Sequence, residues 1–231
     1  VLIYEGDKNG NRIVEDSEIE VRELKGNGDF RSPECVEFLK EADIVVTNPP
    51  FSEIRDVIAQ LMEYNKQFLF IGPMNIITYK EVFPLIKENK MWLGYTNPKE
   101  FIVNKITNKN CYVNENGQIM AKFGNIKWFT NLDIKKRHED IILWKEYNAE
   151  EYPKYDNYDA INVDKVSQIP KNYNGVMGVP ITFIDQYNPS QFKIIGIANS
   201  ARWIGDFPCY TIINSRKIYN RILIQKIKVS E

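Results

Sequence analysis

The chain has 231 residues, 43% apolar and 26% charged, with a formal net charge of -1; this ordinary globular composition suits one large domain or two modest ones and excludes a fibre, a collagen or a disordered tail. No apolar run approaches the ~18 residues of a membrane-spanning helix, and the opening Val1-Leu2-Ile3-Tyr4 is no export signal, so a cytoplasmic protein with no membrane partner is expected. Cys35, Cys111 and Cys209 lie far apart and His138 is the single histidine, which argues against a zinc cluster, a disulfide framework, any other metal site and Ser-His-Asp chemistry.

Val1 to Tyr4 reads as a strand already under way, without an initiator methionine, which leads to the expectation that sequence lies upstream. Ser32-Pro33 is an N-cap followed by proline at the first helical position, and the helix should end near Ala42. Ile44-Val45-Val46 suits a buried parallel strand. Ser52 is expected to cap a helix whose Ile54, Val57, Ile58, Leu61 and Met62 recur at helical spacing. Phe68 to Ile71 is the next strand, closed by Gly72-Pro73. Thr78-x-x-Glu81 reads as a capping box opening a helix that Pro84 interrupts, and Met91 to Tyr95 is strand again. Strand, helix, strand, helix, strand at this spacing predicts βαβ units in an open, mostly parallel sheet.

The pattern changes after residue 100. Cys111-Tyr112-Val113 and Ile119-Met120 flank Asn116-Gly117, a type I′ hairpin signal, and Lys127 to Thr130 adds an aromatic strand, so the sheet should finish antiparallel. Beyond the polar run Asp133 to Asp140, strand-like stretches recur at Val179 to Ile184, Phe192 to Ile197 and Ile218 to Ile227. The chain is therefore divided into residues 1–138 and a second domain over 139–231.

Charge is polarised along the chain. Residues 1–43 carry 12 acidic and 6 basic side chains, whereas the remainder holds 24 basic and 19 acidic ones. From Lys193 onward come Lys193, Arg202, Arg216, Lys217, Arg221, Lys226 and Lys228 against Asp206 and Glu231, a density compatible with a polyanion surface or simply with a solvated face. Arg202-Trp203 and Arg216-Lys217 are candidate nucleic-acid contacts. Lys135-Lys136-Arg137-His138 reads more simply as a solvated hinge.

The most specific string is Asn48-Pro49-Pro50-Phe51, directly after the strand Ile44 to Thr47. In open α/β sheets ligands bind beyond the carboxyl ends of the strands. Two prolines could merely stop a strand. The combination does more: an asparagine oxygen and a neighbouring backbone carbonyl can accept both hydrogens of an exocyclic amine, while Phe51 offers a face to a planar base. Accepting both N–H bonds localises the amine's lone pair for attack on an electrophilic methyl group. No histidine is required.

That string, with Gly28-Asp29-Phe30-Arg31-Ser32, Asn75 to Glu81, Trp128 to Leu132, Tyr152 to Tyr158 and Gly175 to Pro180, resembles the EcoRI-type adenine-specific DNA methyltransferase family over nearly the whole chain. The resemblance implies an α/β fold: a Rossmann-like methyltransferase mixed sheet, its amino-terminal part missing from this sequence, with a smaller C-terminal α+β recognition domain. It implies an S-adenosylmethionine-dependent DNA adenine N6-methyltransferase acting on double-stranded DNA, alongside a cognate restriction endonuclease in function rather than in contact. Asn48, Pro49 and Phe51 would then hold a flipped-out adenine with Pro50 stiffening the loop. Gly28, Asp29 and Phe30 would bind the cofactor's adenine, and Trp128 and Phe129 would back the extruded base. Two plainer possibilities stand beside these roles: a turn at Gly26-x-Gly28 and a core strand at Trp128-Phe129. An RNA or protein amino-methyltransferase, or a DNA-binding module without cofactor binding, are the alternative functions.

Overall fold

The computed structural model describes residues 1–106, 109–198 and 210–227, a mixed α/β chain with several sheets and few helices. It divides into two compact units, Val1–Asp43 and Ile44–Glu231, so the boundary expected near residue 139 falls inside the second unit.

In the first unit, strand β1 (Leu2–Tyr4) pairs antiparallel with β2 (Ile19–Val21). The connecting loop is organised by short polar side chains. Asp7 accepts backbone N–H bonds from Gly10 and Arg12, both at 2.6 Å, and the buried Glu18 accepts from Lys8 at 2.8 Å. Helix α1 (Pro33–Glu41) begins as the sequence predicts, with the Ser32 hydroxyl accepting from Cys35 N at 3.3 Å.

The second unit opens with a parallel βαβ unit: β3 (Ile44–Thr47), α2 (Ile54–Glu63) and β4 (Gln67–Pro73), with Thr47 level with Phe70. Ile54, Val57, Ile58 and Leu61 of α2 are buried, each contributing about 1.5–3 kcal/mol on leaving water. Helix α3 (Phe83–Lys87) and β5 (Trp92–Leu93) follow. Strands β6 (Glu100–Ile102), β7 (Cys111–Val113) and β8 (Ile119–Lys122) form a separate antiparallel sheet. Strand β9 (Ile126–Thr130) then inserts antiparallel between β4 and β5, giving the order β3-β4-β9-β5. One face of this sheet holds Phe68, Phe70 and Phe129, fully buried. The other presents Leu69, Ile71 and Trp128.

The second sheet is built from β10 (Ile161–Asn162), β11 (Met177–Pro180), β12 (Phe192–Ala198) and β15 (Arg221–Lys226), in the order β10-β11-β15-β12. Before β15 a small hairpin intervenes, β13 (Ile212–Ile213) with β14 (Arg216–Lys217). Met177, Val179, Phe183, Phe192, Ile222 and Ile224 fill the core of this region.

Several local expectations are corrected. The strand Ile44–Thr47 is parallel but lies at the sheet edge, with Ile44 47% and Val46 66% exposed. Ser52 does not cap α2: a turn closed by Glu53 N donating to Pro50 O delays the helix to Ile54. Thr78 ends a 3-10 turn (Met74–Thr78) and donates to Asn75 O instead of forming a capping box, and Pro84 sits in the first turn of α3, where its missing N–H costs nothing. At Asn114–Gln118 only Gly117 has positive φ (76°) and its N–H meets Asn114 O, a type I turn followed by a left-handed glycine rather than type I′. The expected strand Met91–Tyr95 shrinks to β5. That at Val179 to Ile184 becomes the end of β11 and a 3-10 turn (Ile181–Gln186).

Candidate functional site

Strands β3 and β4 run parallel, so their carboxyl ends share one edge of the sheet, and β9, running the other way, begins there: Met74 N donates to Asn125 O at 2.7 Å. Asn48 is the first residue past the last paired position of β3. It is exposed, and its side chain makes no hydrogen bond to any described residue. Pro49 is buried and pins the loop, Pro50 is exposed with its carbonyl engaged by Glu53 N, and the Phe51 ring is 46% exposed. An acceptor amide with its capacity unused, beside an open aromatic face on a loop stiffened by two prolines, is a receptor for a planar amine.

The register extends this edge. Thr47, the residue before Asn48, stands opposite Phe70, and Ile71, the next residue of β4, stands opposite Trp128. Trp128 lines a cavity of about 360 Å³ with Leu69, Gly94, Tyr95, Thr96, Thr130, Leu132 and Ile134. Gly94 is required there: its N–H meets Trp128 O at 2.8 Å, and a Cβ on it would lie 2.6 Å from Trp128 Cβ. Phe129 faces the other way, fully buried and stacked on Phe70 at 5.3 Å between ring centroids. The strand thus separates the two aromatics: Trp128 faces the cavity and Phe129 the core.

Behind this edge, Lys127 forms a nearly buried ion pair with Asp185 at 3.0 Å, which sequence reasoning missed because 58 residues separate the partners. Arg137, read from sequence as part of a solvated hinge, is buried instead. Its guanidinium stacks on Trp92 at 3.8 Å and donates to Asn89 Oδ1 at 2.9 Å; desolvation lowers its pKa. His138 does stay exposed, paired with Asp133 at 2.8 Å.

In the first unit, Gly28 takes φ +77° and sets up Asp29 and Phe30, both half-buried. The Asp29 carboxylate receives Arg31 on both oxygens, Nε and Nη2 each at 3.0 Å, and these bonds hold its pKa below the usual carboxylate value. Oδ1 also accepts from Arg31 N at 2.8 Å. An ionised acceptor next to an aromatic ring fits the adenosyl group of S-adenosylmethionine, whose amine and hydroxyls are donors. Arg202 and Trp203 lie outside the described residues. Arg216 and Lys217 are exposed on the β13–β14 hairpin.

Residues 1–228 match the family described as adenine-specific methyltransferase EcoRI. The chain is 50% identical over 196 residues to the type II methyltransferase M.EcoRI of Escherichia coli, covering 81% of this chain and 60% of that protein. It is 38% identical over an alignment of 242 residues to the type II methyltransferase M.MgeORF184P of Mycoplasma genitalium, covering 95% and 74%. With the type II methyltransferase M.MpnI of Mycoplasma pneumoniae it shares 41% over 187 residues, covering 77% and 59%. It therefore spans about three fifths of the length of two of these relatives. No solved structure matches. Match to the family over almost every residue makes this chain a member of the EcoRI-type adenine-specific methyltransferase family.

Proposed function

We propose that the protein is a site-specific DNA adenine N6-methyltransferase, the modification half of a restriction-modification system, and that its sheet β3-β4-β9-β5 belongs to a Rossmann-like methyltransferase arrangement. The observation that carries this is the exposed, unengaged Asn48 amide at the carboxyl end of β3, followed by the proline-stiffened loop and the open face of Phe51. Residues up to about 138 supply catalysis in this reading, and residues 139–231 bind the target.

Bound S-adenosylmethionine would supply an electrophilic methyl group; Gly28, Asp29 and Phe30 would hold its adenosyl part. The Asn48 side-chain oxygen and the Pro49 carbonyl accept the two N6 hydrogens of an extruded adenine. That drives the amine nitrogen toward tetrahedral geometry with its lone pair localised and aimed. The lone pair so aimed could take the methyl group that the cofactor would supply, its sulfur keeping the bonding pair, and the nitrogen would give up one proton to water. Phe51 stacks on the base, and Trp128 at the opposite side of the edge offsets part of the stacking lost on leaving the duplex.

The test is transfer of labelled methyl from S-adenosylmethionine by the full-length protein to duplex DNA, RNA and protein offered in competition. DNA is expected to win, and Asn48→Ala to slow transfer by ~10²–10³-fold. Preference for RNA or protein would replace the acceptor. Salt-sensitive DNA binding without any affinity for S-adenosylmethionine would reduce the protein to a binding module.

A further inference from the structure

The β13–β14 hairpin is a two-stranded sheet of its own. Its tip residues Asn214 and Ser215 both have positive φ, 49° and 62°, the two-residue turn whose twist matches a paired ribbon. Register places Ile212 opposite Lys217 and Ile213 opposite Arg216. On one face Ile213, with Ile218 behind it, packs against the buried cluster Tyr155, Ala160 and Leu223. The other face is left to Tyr210, Ile212, Lys217 and, beyond the strand, Tyr219, which is 87% exposed. The Lys217 ammonium lies 3.7 Å from the centre of the Tyr210 ring.

The ribbon is held from beneath by a loop of the same unit. Asp156 N donates to Ile212 O at 2.8 Å, Ser215 N donates to Asp156 Oδ2 at 2.8 Å, and Asn157 brackets the strand by donating to Tyr210 O at 2.8 Å and accepting from Ile212 N at 3.1 Å. A projection fixed at its base needs little ordering when it binds. Its charge is one-sided: residues 210–221 include three basic side chains and no acidic one. Of the three, Arg221 is buried and engaged by Asn162 and Asp164, which leaves Arg216 and Lys217 exposed. Asp156, the acid bonded to the hairpin, already accepts a backbone N–H. The exposed tip therefore presents Asn214, Ser215 and Arg216, side chains that donate hydrogen bonds and, for asparagine and arginine, do so in forks.

Topology relates this hairpin to the candidate site. β14 leads into Arg221, which pairs with Pro180. Pro180 leads directly into the 3-10 turn carrying Asp185, and Asp185 holds Lys127 at the edge of the first sheet where the Asn48 loop begins. Hairpin and turn leave the second sheet from the same end.

We propose that the hairpin Ile212–Lys217 is the ribbon that enters the major groove of the duplex, with Asn214 and Arg216 meeting base edges and Lys217 the phosphates; this rests on the DNA-methyltransferase reading above. The major groove, ~12 Å wide, admits a two-stranded β-ribbon and shows a distinct pattern for each base pair, whereas the minor groove, ~6 Å wide, shows a degenerate one. Asparagine pairs in a fork with adenine and arginine with the N7 and O6 of guanine.

Methyl transfer to duplex DNA by the unaltered full-length protein comes first; its absence would sink the enzyme reading and leave the hairpin to be judged by DNA binding alone. Arg216→Ala/Lys217→Ala is expected to raise KM for duplex DNA at least tenfold with kcat within twofold, to lower the salt slope of DNA affinity, and to leave S-adenosylmethionine affinity and the melting temperature unchanged. Sequencing of the methylated sites should show Asn214→Ala and Arg216→Ala each relaxing the preference at one base pair. Replacing guanine by 7-deazaguanine at the position relaxed by Arg216→Ala should weaken the unaltered protein by the same factor and leave that variant indifferent. Variants with unchanged KM, salt slope and site preference would overturn the proposal. A changed salt slope with unaltered site preference would overturn base reading, leaving only a phosphate contact.

Discussion

At the scale of single residues, the candidate site depends on atoms left without partners. Asn48 was legible because its chemistry is local: one acceptor amide, two prolines and one ring in four consecutive residues, after a strand that β-branched residues announce. Asn48→Ala removes one of two acceptors for the amine and is expected to lower kcat by ~10²–10³-fold, while urea unfolding of the variant stays unchanged because the side chain holds nothing else in place. Asn48→Asp keeps an acceptor oxygen and should retain part of the rate. Full activity in Asn48→Ala would remove the mechanism. The division between Trp128 and Phe129 could not be read from sequence. Alternation says that neighbours on a strand face opposite ways, but not which face lies beneath α2; that is decided by Ile54 and Gly72, which close on Phe129. Gly94 was likewise invisible, since its role is the absence of a side chain. Gly94→Ala must push back Trp128, at a cost of about 1–3 kcal/mol in denaturant unfolding, and should raise KM for DNA if Trp128 backs the base.

At the scale of elements, helix α2 and strands β4 and β9 were readable because their apolar spacing is strong, whereas starts and turns were not. Ser52 and Thr78 satisfy the local pattern for a cap, but the turn at Pro50–Glu53 delays α2 to Ile54, and Thr78 ends the 3-10 turn Met74–Thr78 with its hydroxyl donating to Asn75 O. Long-range pairs were beyond reach for a different reason: sequence separation carries no trace of proximity. The Lys127–Asp185 pair is the clearest case, joining β9 to the turn after β11 with side-chain exposures of 10% and 18%. Lys127→Met strands a nearly buried carboxylate and should cost about 2–4 kcal/mol in urea unfolding, reduced from the fully buried case because some solvent still reaches the pair. The double variant Lys127→Met/Asp185→Leu should regain most of that loss. A double variant as unstable as the single one would show that the pair's geometry, rather than the stranded charge, stabilises this junction.

At the scale of the whole molecule, the sequence correctly indicated βαβ order passing into antiparallel strands, and it gave no sign that the compact units separate at Asp43. The polar run near residue 139 is not solvated throughout, since Arg137 within it is buried against Trp92. Polarity marks a boundary only when the charges reach water. The same region concentrates phenols that burial keeps neutral. Tyr155 has its pKa raised chiefly by desolvation, against the lowering effect of Arg221, while its hydroxyl donates to Asn162 Oδ1 at 3.0 Å. Tyr187 is raised for the same first reason, against Arg137. In the unfolded chain both titrate near ~10. A folded-state pKa above the unfolded value means that above pH ~10 the unfolded state holds fewer protons than the native one. The stabilisation is therefore complete below pH ~10 and is lost as pH climbs toward the folded values. Urea unfolding should accordingly give a stability plateau at pH 7–9 and a decline above 10, by up to about 1.4 kcal/mol per pH unit for each phenol. Tyr155→Phe should be less stable at neutral pH by ~1–2 kcal/mol for the lost hydrogen bonds. It should also show a shallower alkaline decline, because one titrating group is gone. Parallel pH profiles for Tyr155→Phe and the unaltered protein would mean that the Tyr155 hydroxyl is not the group held neutral by the fold.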